Sequence, residues 1–181
     1  MRVLAPSAEP LAVPRAAGQE GVRAAEPTDA LALVPLCAAH AAHERLPYSA
    51  AGHAERLRAA LTSGQLHAWL LEQGGSAVGY ASLTLDFSTL NGQHFAHLDC
   101  LYLAPAARNR GGGLALLQAA QDYARLQGCT TLQWQTPDWN HDAMRFYVRI
   151  GATGCAKQRY TLALAAADEQ PAQSDQHGKW L

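Results

Sequence analysis

Residues 97–128 read HLDCLYLAPAARNRGGGLALLQAAQDYARLQG, and the order of features in that stretch decides the fold. His97-Leu98-Asp99-Cys100-Leu101-Tyr102-Leu103 alternates as a strand does. Pro105 ends the pattern, because proline has no N–H to give to a ladder. Arg108-Asn109-Arg110-Gly111-Gly112-Gly113 follows, and a helical-period run from Leu114 to Leu126 begins at once. A strand therefore feeds an arginine- and glycine-rich turn, and the turn opens a helix. The first N–H groups of a helix have no partner within it. The helix dipole favours an anion there, and glycine lets the backbone come close to it. The turn reads as a phosphate cradle. Two nucleotide patterns are excluded. There is no G-x-x-x-x-G-K-[ST], and G-x-G-x-x-G fails because Leu116 stands three places after Gly113.

Upstream, His67–Glu72 and Ala77–Leu85 read as strands joined by a tight Gly74-Gly75 turn. The loop Asp86–Leu90 and Asn91-Gly92 bring the chain back as the strand His94–Leu103, which completes an antiparallel meander. Before it, Thr28 or Asp29 can cap a helix from Ala30 to about His43, with Pro35 predicting a kink or a later start. Ser49 can cap a second helix, Ala50–Leu61, stopped by Ser63-Gly64. Gly21–Glu26 reads as a short first strand. Downstream, Gly128 ends the helix Gly113–Gln127. Thr131–Gln135 is a strand parallel to the one from His94, as a strand–helix–strand unit requires. Asn140 caps a helix to about Arg149, Gly151 ends it, and Cys155–Leu164 reads as a last strand. The expected architecture is α/β: a mixed, mostly antiparallel sheet flanked by helices, in one domain over residues 21–164. Pro6, Pro10 and Pro14 lie in a leader, 1–20, expected to be disordered, as is the polar tail 165–181.

A chain of 181 residues can bury a real core. A hydrophobic fraction of 49% and a charged fraction of 16% are those of a globular protein. The net charge of −1 offers no basic surface for nucleic acid, and no apolar run reaches membrane-spanning length. Cys37, Cys100, Cys129 and Cys155 form no C-x-x-C pair, so the simple reading is free thiols in a reducing cytoplasm. His40, His43, Glu44 and His53 lack the spacing of a zinc site, and no metal is expected.

Residues 134–152 read WQTPDWNHDAMRFYVRIGA. Asn140, Ala143, Phe146, Tyr147 and Gly151 meet the pattern N-x-x-A-x-x-F-Y-x-x-x-G. Arg108, Gly111 and Gly113 meet [QR]-x-x-G-x-[GA]. With its flanking strand and helix, the pair of motifs resembles the GNAT superfamily of N-acetyltransferases, over roughly residues 21–164. The opening Asp138-Trp139-Asn140 and the close Ile150-Gly151-Ala152 look most like its polyamine (spermidine/spermine-type) branch. The resemblance implies acetyl-CoA as co-substrate and transfer of its acetyl group to an amine. The motifs are specific for the acyl donor and not for the acceptor, which could be a small amine, a protein N-terminus or a lysine. A non-catalytic acyl-CoA sensor is the alternative from another class.

An alkyl amine of pKa about 10.4 is neutral in roughly one molecule per thousand at pH 7, so a proton must be removed before it attacks a thioester. By match to the family, Tyr147 is the candidate acid for the departing thiolate. Asp99 stands where the resembling branch carries a glutamate and is the candidate base; His97, two residues earlier and on the same face of a regular strand, is the other. The resemblance further implies main-chain bonds from Leu101, Tyr102 and Leu103 to the pantetheine arm. Arg108 and Arg110 would meet phosphates, Asn109–Gly113, with Gly112 among them, would offer N–H groups to the pyrophosphate, and Asn140 would bind the CoA chain besides capping its helix. Glu44, Tyr48 and Asp86 are the candidate acceptor contacts. The family often dimerises, so a homodimer is expected.

Overall fold

The computed structural model describes residues 21–164, which form two compact units, one ending at Pro137 and one beginning at Asp138. The leader 1–20 and the tail 165–181 lie outside the described residues.

The first unit is built on a five-stranded sheet in the order β1 (Gly21–Ala24), β2 (His67–Gln73), β3 (Ser76–Ser88), β4 (Gln93–Leu103) and β5 (Leu132–Gln133). Neighbours from β1 to β4 are antiparallel, and β5 runs parallel to β4, as the connection through a helix requires. Gly74 and Gly75, with φ of 56° and 76°, make the two-residue turn between β2 and β3. Arg23 ties the sheet's first edge to β2 and to the turn before the first helix. Its Nε donates to Glu72 Oε1 on β2 at 2.8 Å, and its Nη1 and Nη2 donate to Asp29 at 2.7 and 2.8 Å.

Helices α1 (Ala30–His43) and α2 (His53–Ser63) precede β2, and α3 (Gly112–Leu126) links β4 to β5. Asp29 does occupy the cap position of α1 but gives that helix no side-chain cap; its carboxylate serves Arg23 and closes a capping box with the N–H of Glu26 at the preceding 3₁₀ turn. Pro35 lies inside α1, which starts where expected and runs through it. Helix α2 starts three residues later than the sequence suggests. Gly52, with φ of 63°, is its cap residue, while Ser49 only accepts the N–H of Ala51 at 3.4 Å.

The two faces of the sheet carry different helices. Leu33 and Leu36 of α1 pack on Ala68, Leu70, Tyr80 and Tyr102. Adjacent strand residues point to opposite faces, so Leu71 and Leu103 face away from α1. There they meet the start of α3, whose Leu116, Leu117, Ala120 and Ala124 are buried.

One irregularity positions the site. Ser82 pairs with Cys100 and Leu83 with Leu98, so Asp99 is an extra residue on β4 with no partner on β3. Such a bulge breaks the two-residue alternation and turns its side chain out of register. A second break lies on the other side of β4. Strand β5 pairs only with Ala96 and His97, so among the described residues no strand covers Leu98–Leu103 on that side.

In the second unit, α4 (His141–Arg149) is capped as expected: Asn140 Oδ1 accepts the N–H of Ala143 at 3.3 Å. Gly151, with φ of 87°, ends it. The strand expected over Cys155–Leu164 is not formed, and Tyr160, Leu162 and Leu164 are at least 84% exposed. A strand exists only through its partner, and no described strand pairs with this segment.

Candidate active site

The turn from β4 to α3 has the form the sequence suggests. A short 3₁₀ turn at Pro105–Ala107 leads to two left-handed residues, Asn109 with φ of 61° and Gly111 with φ of 83°. Gly111 is the cap residue of α3, and its carbonyl accepts the N–H of Ala115 at 3.0 Å. The N–H groups of Gly112, Gly113 and Leu114 therefore come before the first intrahelical bond, and no capping side chain competes for them. Arg110 and Asn109 are exposed beside them. Backbone donors, a helix N-terminus and arginine forks are the donor set a pyrophosphate takes. Arg108 also braces the strand end. Its Nε donates to Leu103 O at 3.0 Å, and its guanidinium carbon lies 5.8 Å from the centre of the Tyr102 ring.

The open side of β4 divides the three residues expected to hold an extended chain. The N–H of Ala104 donates to Val78 O on β3 at 2.8 Å. By the alternation of an antiparallel ladder, Tyr102 then also turns its main-chain groups to β3, while Leu101 and Leu103 turn theirs to the open edge. Only Leu101 and Leu103 keep the expected geometry, and the carbonyl of Leu103 is already engaged by Arg108.

The α1 side of the sheet gathers polar groups around the bulge. Asp99 is exposed, accepts a bond from Cys100 Sγ at 3.5 Å, and its charge acts on Cys37 and His40 of α1. His97 and Asp86 lie diagonally across β3 and β4, with Nδ1 and Oδ2 3.8 Å apart. Glu44 follows the end of α1 and approaches His40 Nε2 at 3.4 Å. Tyr48 is in the loop between α1 and α2, where its hydroxyl donates to Val34 O at 3.2 Å and contacts His53 Nδ1 at 2.7 Å. Burial pushes both neighbouring thiols up, Cys100 to about 12, so neither is a ready thiolate nucleophile. In the second unit, Tyr147 is half-buried, its ring centre is 5.4 Å from that of Phe146, and its carbonyl accepts the N–H of Ala152 at 3.0 Å.

Sequence reading misses His40 and Tyr80. Their side chains meet at 3.0 Å between α1 and the sheet, and both are shielded from water. The signal is present: Leu33, Leu36, His40 and Glu44 recur at helical spacing, which puts an imidazole on the buried stripe of α1. Among the described residues, no three His, Cys, Asp or Glu side chains gather as a metal site. No described helix is long and apolar enough to cross a membrane.

The mixed sheet opens beside β4, and free helix-start N–H groups with Arg108 and Arg110 stand at the end of that strand. The model of the acetyltransferase (GNAT) family matches residues 35–152, and the chain belongs to that family. It is an acetyl-CoA-dependent N-acetyltransferase. It is 31% identical to the uncharacterized N-acetyltransferase YhfO of Bacillus subtilis over 130 residues, 72% of this chain and 87% of that protein. It is 28% identical to the thialysine N-epsilon-acetyltransferase of Caenorhabditis elegans over 131 residues, 72% of this chain and 81% of that one. The solved structure of an aminoglycoside N-acetyltransferase in complex with CoA shares the fold, with a TM-score of 0.70 at 18% identity over 85% of this chain and all of that one.

Proposed function

We propose that the chain acetylates the primary amine of a small molecule, a polyamine, an amino acid or a similar amine, by direct attack within a ternary complex. The observation that carries this reading is the opening of β4 after His97, which leaves a bare main-chain edge with bulged Asp99 at its start and the cradle at its end. The pyrophosphate of acetyl-CoA lies on the N–H groups of Gly112–Leu114 with Arg108 and Arg110, and the pantetheine arm follows the edge at Leu101 and Leu103. Asp99, or His97 in its place, takes a proton from the acceptor's ammonium. The freed lone pair attacks the thioester carbonyl, the C–S bond breaks, Tyr147 gives its proton to the leaving thiolate, and the second proton shed by the acylated nitrogen restores the tyrosine by way of solvent. The raised thiols of Cys37 and Cys100 favour this route over an acetyl-cysteine intermediate. Glu44 and Asp99, whose charges both act on His40, support a cationic acceptor, as do relatives whose names specify thialysine and aminoglycoside substrates.

A panel of polyamines, amino acids, aminoglycosides and peptides, read by thiol release from acetyl-CoA, tests the acceptor class. Turnover confined to peptides would overturn the small-molecule reading. For the acid, Tyr147→Phe is expected to lower kcat about 100-fold with the KM for acetyl-CoA unchanged. A parental rate removes Tyr147 from the reaction.

A further inference from the structure

Among the described residues, His40 is an imidazole set between α1 and the sheet and given no part in the reaction. Its side chain keeps only 12% of its exposure. Its ring stacks on that of Tyr102 at 5.1 Å and 25° and meets the Tyr80 ring edge-on at 5.9 Å. Both nitrogens are spoken for: Nδ1 is 3.0 Å from the Tyr80 hydroxyl and Nε2 is 3.4 Å from Glu44 Oε1. A carboxylate only accepts, so Nε2 carries the hydrogen toward Glu44, and Nδ1 of the neutral ring accepts from Tyr80. One ring thus joins the last turn of α1 to β3 and to β4 beyond the bulge.

We propose that His40 is the positioning residue of the acceptor site, holding Glu44 and the end of α1 against β4 so that Glu44 and Asp99 receive a cationic acceptor together. This rests on the cationic-acceptor reading of the site. A residue that merely filled space would not need two directed bonds, one of them to a carboxylate 27% exposed. The groups facing His40 are Cys37, His43 and Glu44 on α1, Tyr80 on β3, and Asp99, Cys100 and Tyr102 on β4. Burial, the largest influence, holds the imidazole below the ordinary histidine range, and Glu44 opposes it. The ring is neutral at pH 7 and gains its proton only as pH falls beneath that range. Once protonated it cancels the charge of Glu44, so acceptor recognition weakens on the acid side.

The test compares steady-state kinetics of the parent, His40→Leu, His40→Gln and Glu44→Gln with the amine that the panel selects. His40→Leu is expected to raise the acceptor KM about tenfold, the loss of a bond to a charged group, and to leave the acetyl-CoA KM unchanged. His40→Gln, which keeps a donor for Glu44, recovers most of that loss and removes the acid limb of acceptor kcat/KM that belongs to His40. Adding His40→Leu to Glu44→Gln costs nothing more, because His40 acts through Glu44. A parental acceptor KM in His40→Leu overturns the proposal, as does an acid limb that survives in His40→Gln. If His40→Leu fails to fold, His40→Gln and Glu44→Gln decide by the same two readouts. Acetyl-CoA binding without turnover on any amine overturns the acceptor reading and this inference together, whereas turnover indifferent to His40 overturns this inference alone.

Discussion

Gly79→Val is expected to destabilise the protein by about 1–3 kcal/mol and to weaken acetyl-CoA binding in the same variant. Gly79 is on β3 opposite Leu103, the last residue of β4. A Cβ built there would stand 2.8 Å from the carbonyl oxygen of Tyr102, 3.1 Å from Leu103 Cγ and 3.4 Å from Leu103 Cα. Two of these are backbone atoms, which cannot swing aside as a side-chain end does. The strands must separate where β4 turns into the phosphate cradle. Gly112→Ala makes the contrast. Its Cβ would meet Leu71 Cδ2 at 2.5 Å and Leu103 Cδ2 at 3.0 Å, both of them methyl groups that rotation can move. The expected order of stability is parent, Gly112→Ala, Gly79→Val. Thermal melting measures it, with about 2–4 °C per kcal/mol for a chain of this size. Equal melting temperatures for Gly79→Val and parent would show that β3 and β4 do not approach so closely at this point.

Asp99→Ala carries the other large effect. With Asp99 as base, kcat is expected to fall by about 10²–10⁴-fold. Stability should stay within about 0.5 kcal/mol of the parent, because the side chain is exposed and, among the described residues, its hydrogen bond is to Cys100. Acetyl-CoA affinity should hold, since Asp99 is away from the cradle in sequence and accepts no bond from it. Asp99→Glu is expected to keep most of the rate, since the carboxylate remains and the chain gains one methylene. His97→Gln separates the two candidate bases. A loss with His97→Gln and none with Asp99→Ala would pass the role to the imidazole, leaving Asp86, now its neighbour at 3.8 Å, to hold that ring in place.

The legible part of the sequence is the part that short-range chemistry decides. The strand over 97–103, the Gly74-Gly75 turn, the glycine opening of α3 and the Asn140 cap each depend on a few adjacent residues, and the structure contains each of them. The bulge at Asp99 is not legible, because it is a matter of register between β4 and β3 rather than of either strand alone. The start of α2 differs from expectation because Ser49 and Gly52 both make good boundaries locally, and Gly52 is the one at which the chain takes a left-handed turn. The alternation of Cys155–Leu164 predicts a strand whose existence depends on a partner elsewhere. His40 reads from sequence only as a weak metal ligand, since nothing local says that a buried tyrosine from β3 will meet it.

The main-chain groups that Leu98–Leu103 turn away from β3, uncovered by any described strand, are also a template for a passing strand, and so a route to unwanted self-association. Its last carbonyl is taken by Arg108 and the chain just beyond it begins with Pro105, so the open segment ends after six residues. The same arginine that suits a pyrophosphate thus blunts the edge, and a long donor molecule lying along β4 would cover the rest. A donor molecule held there would close the same strip of backbone to a second strand.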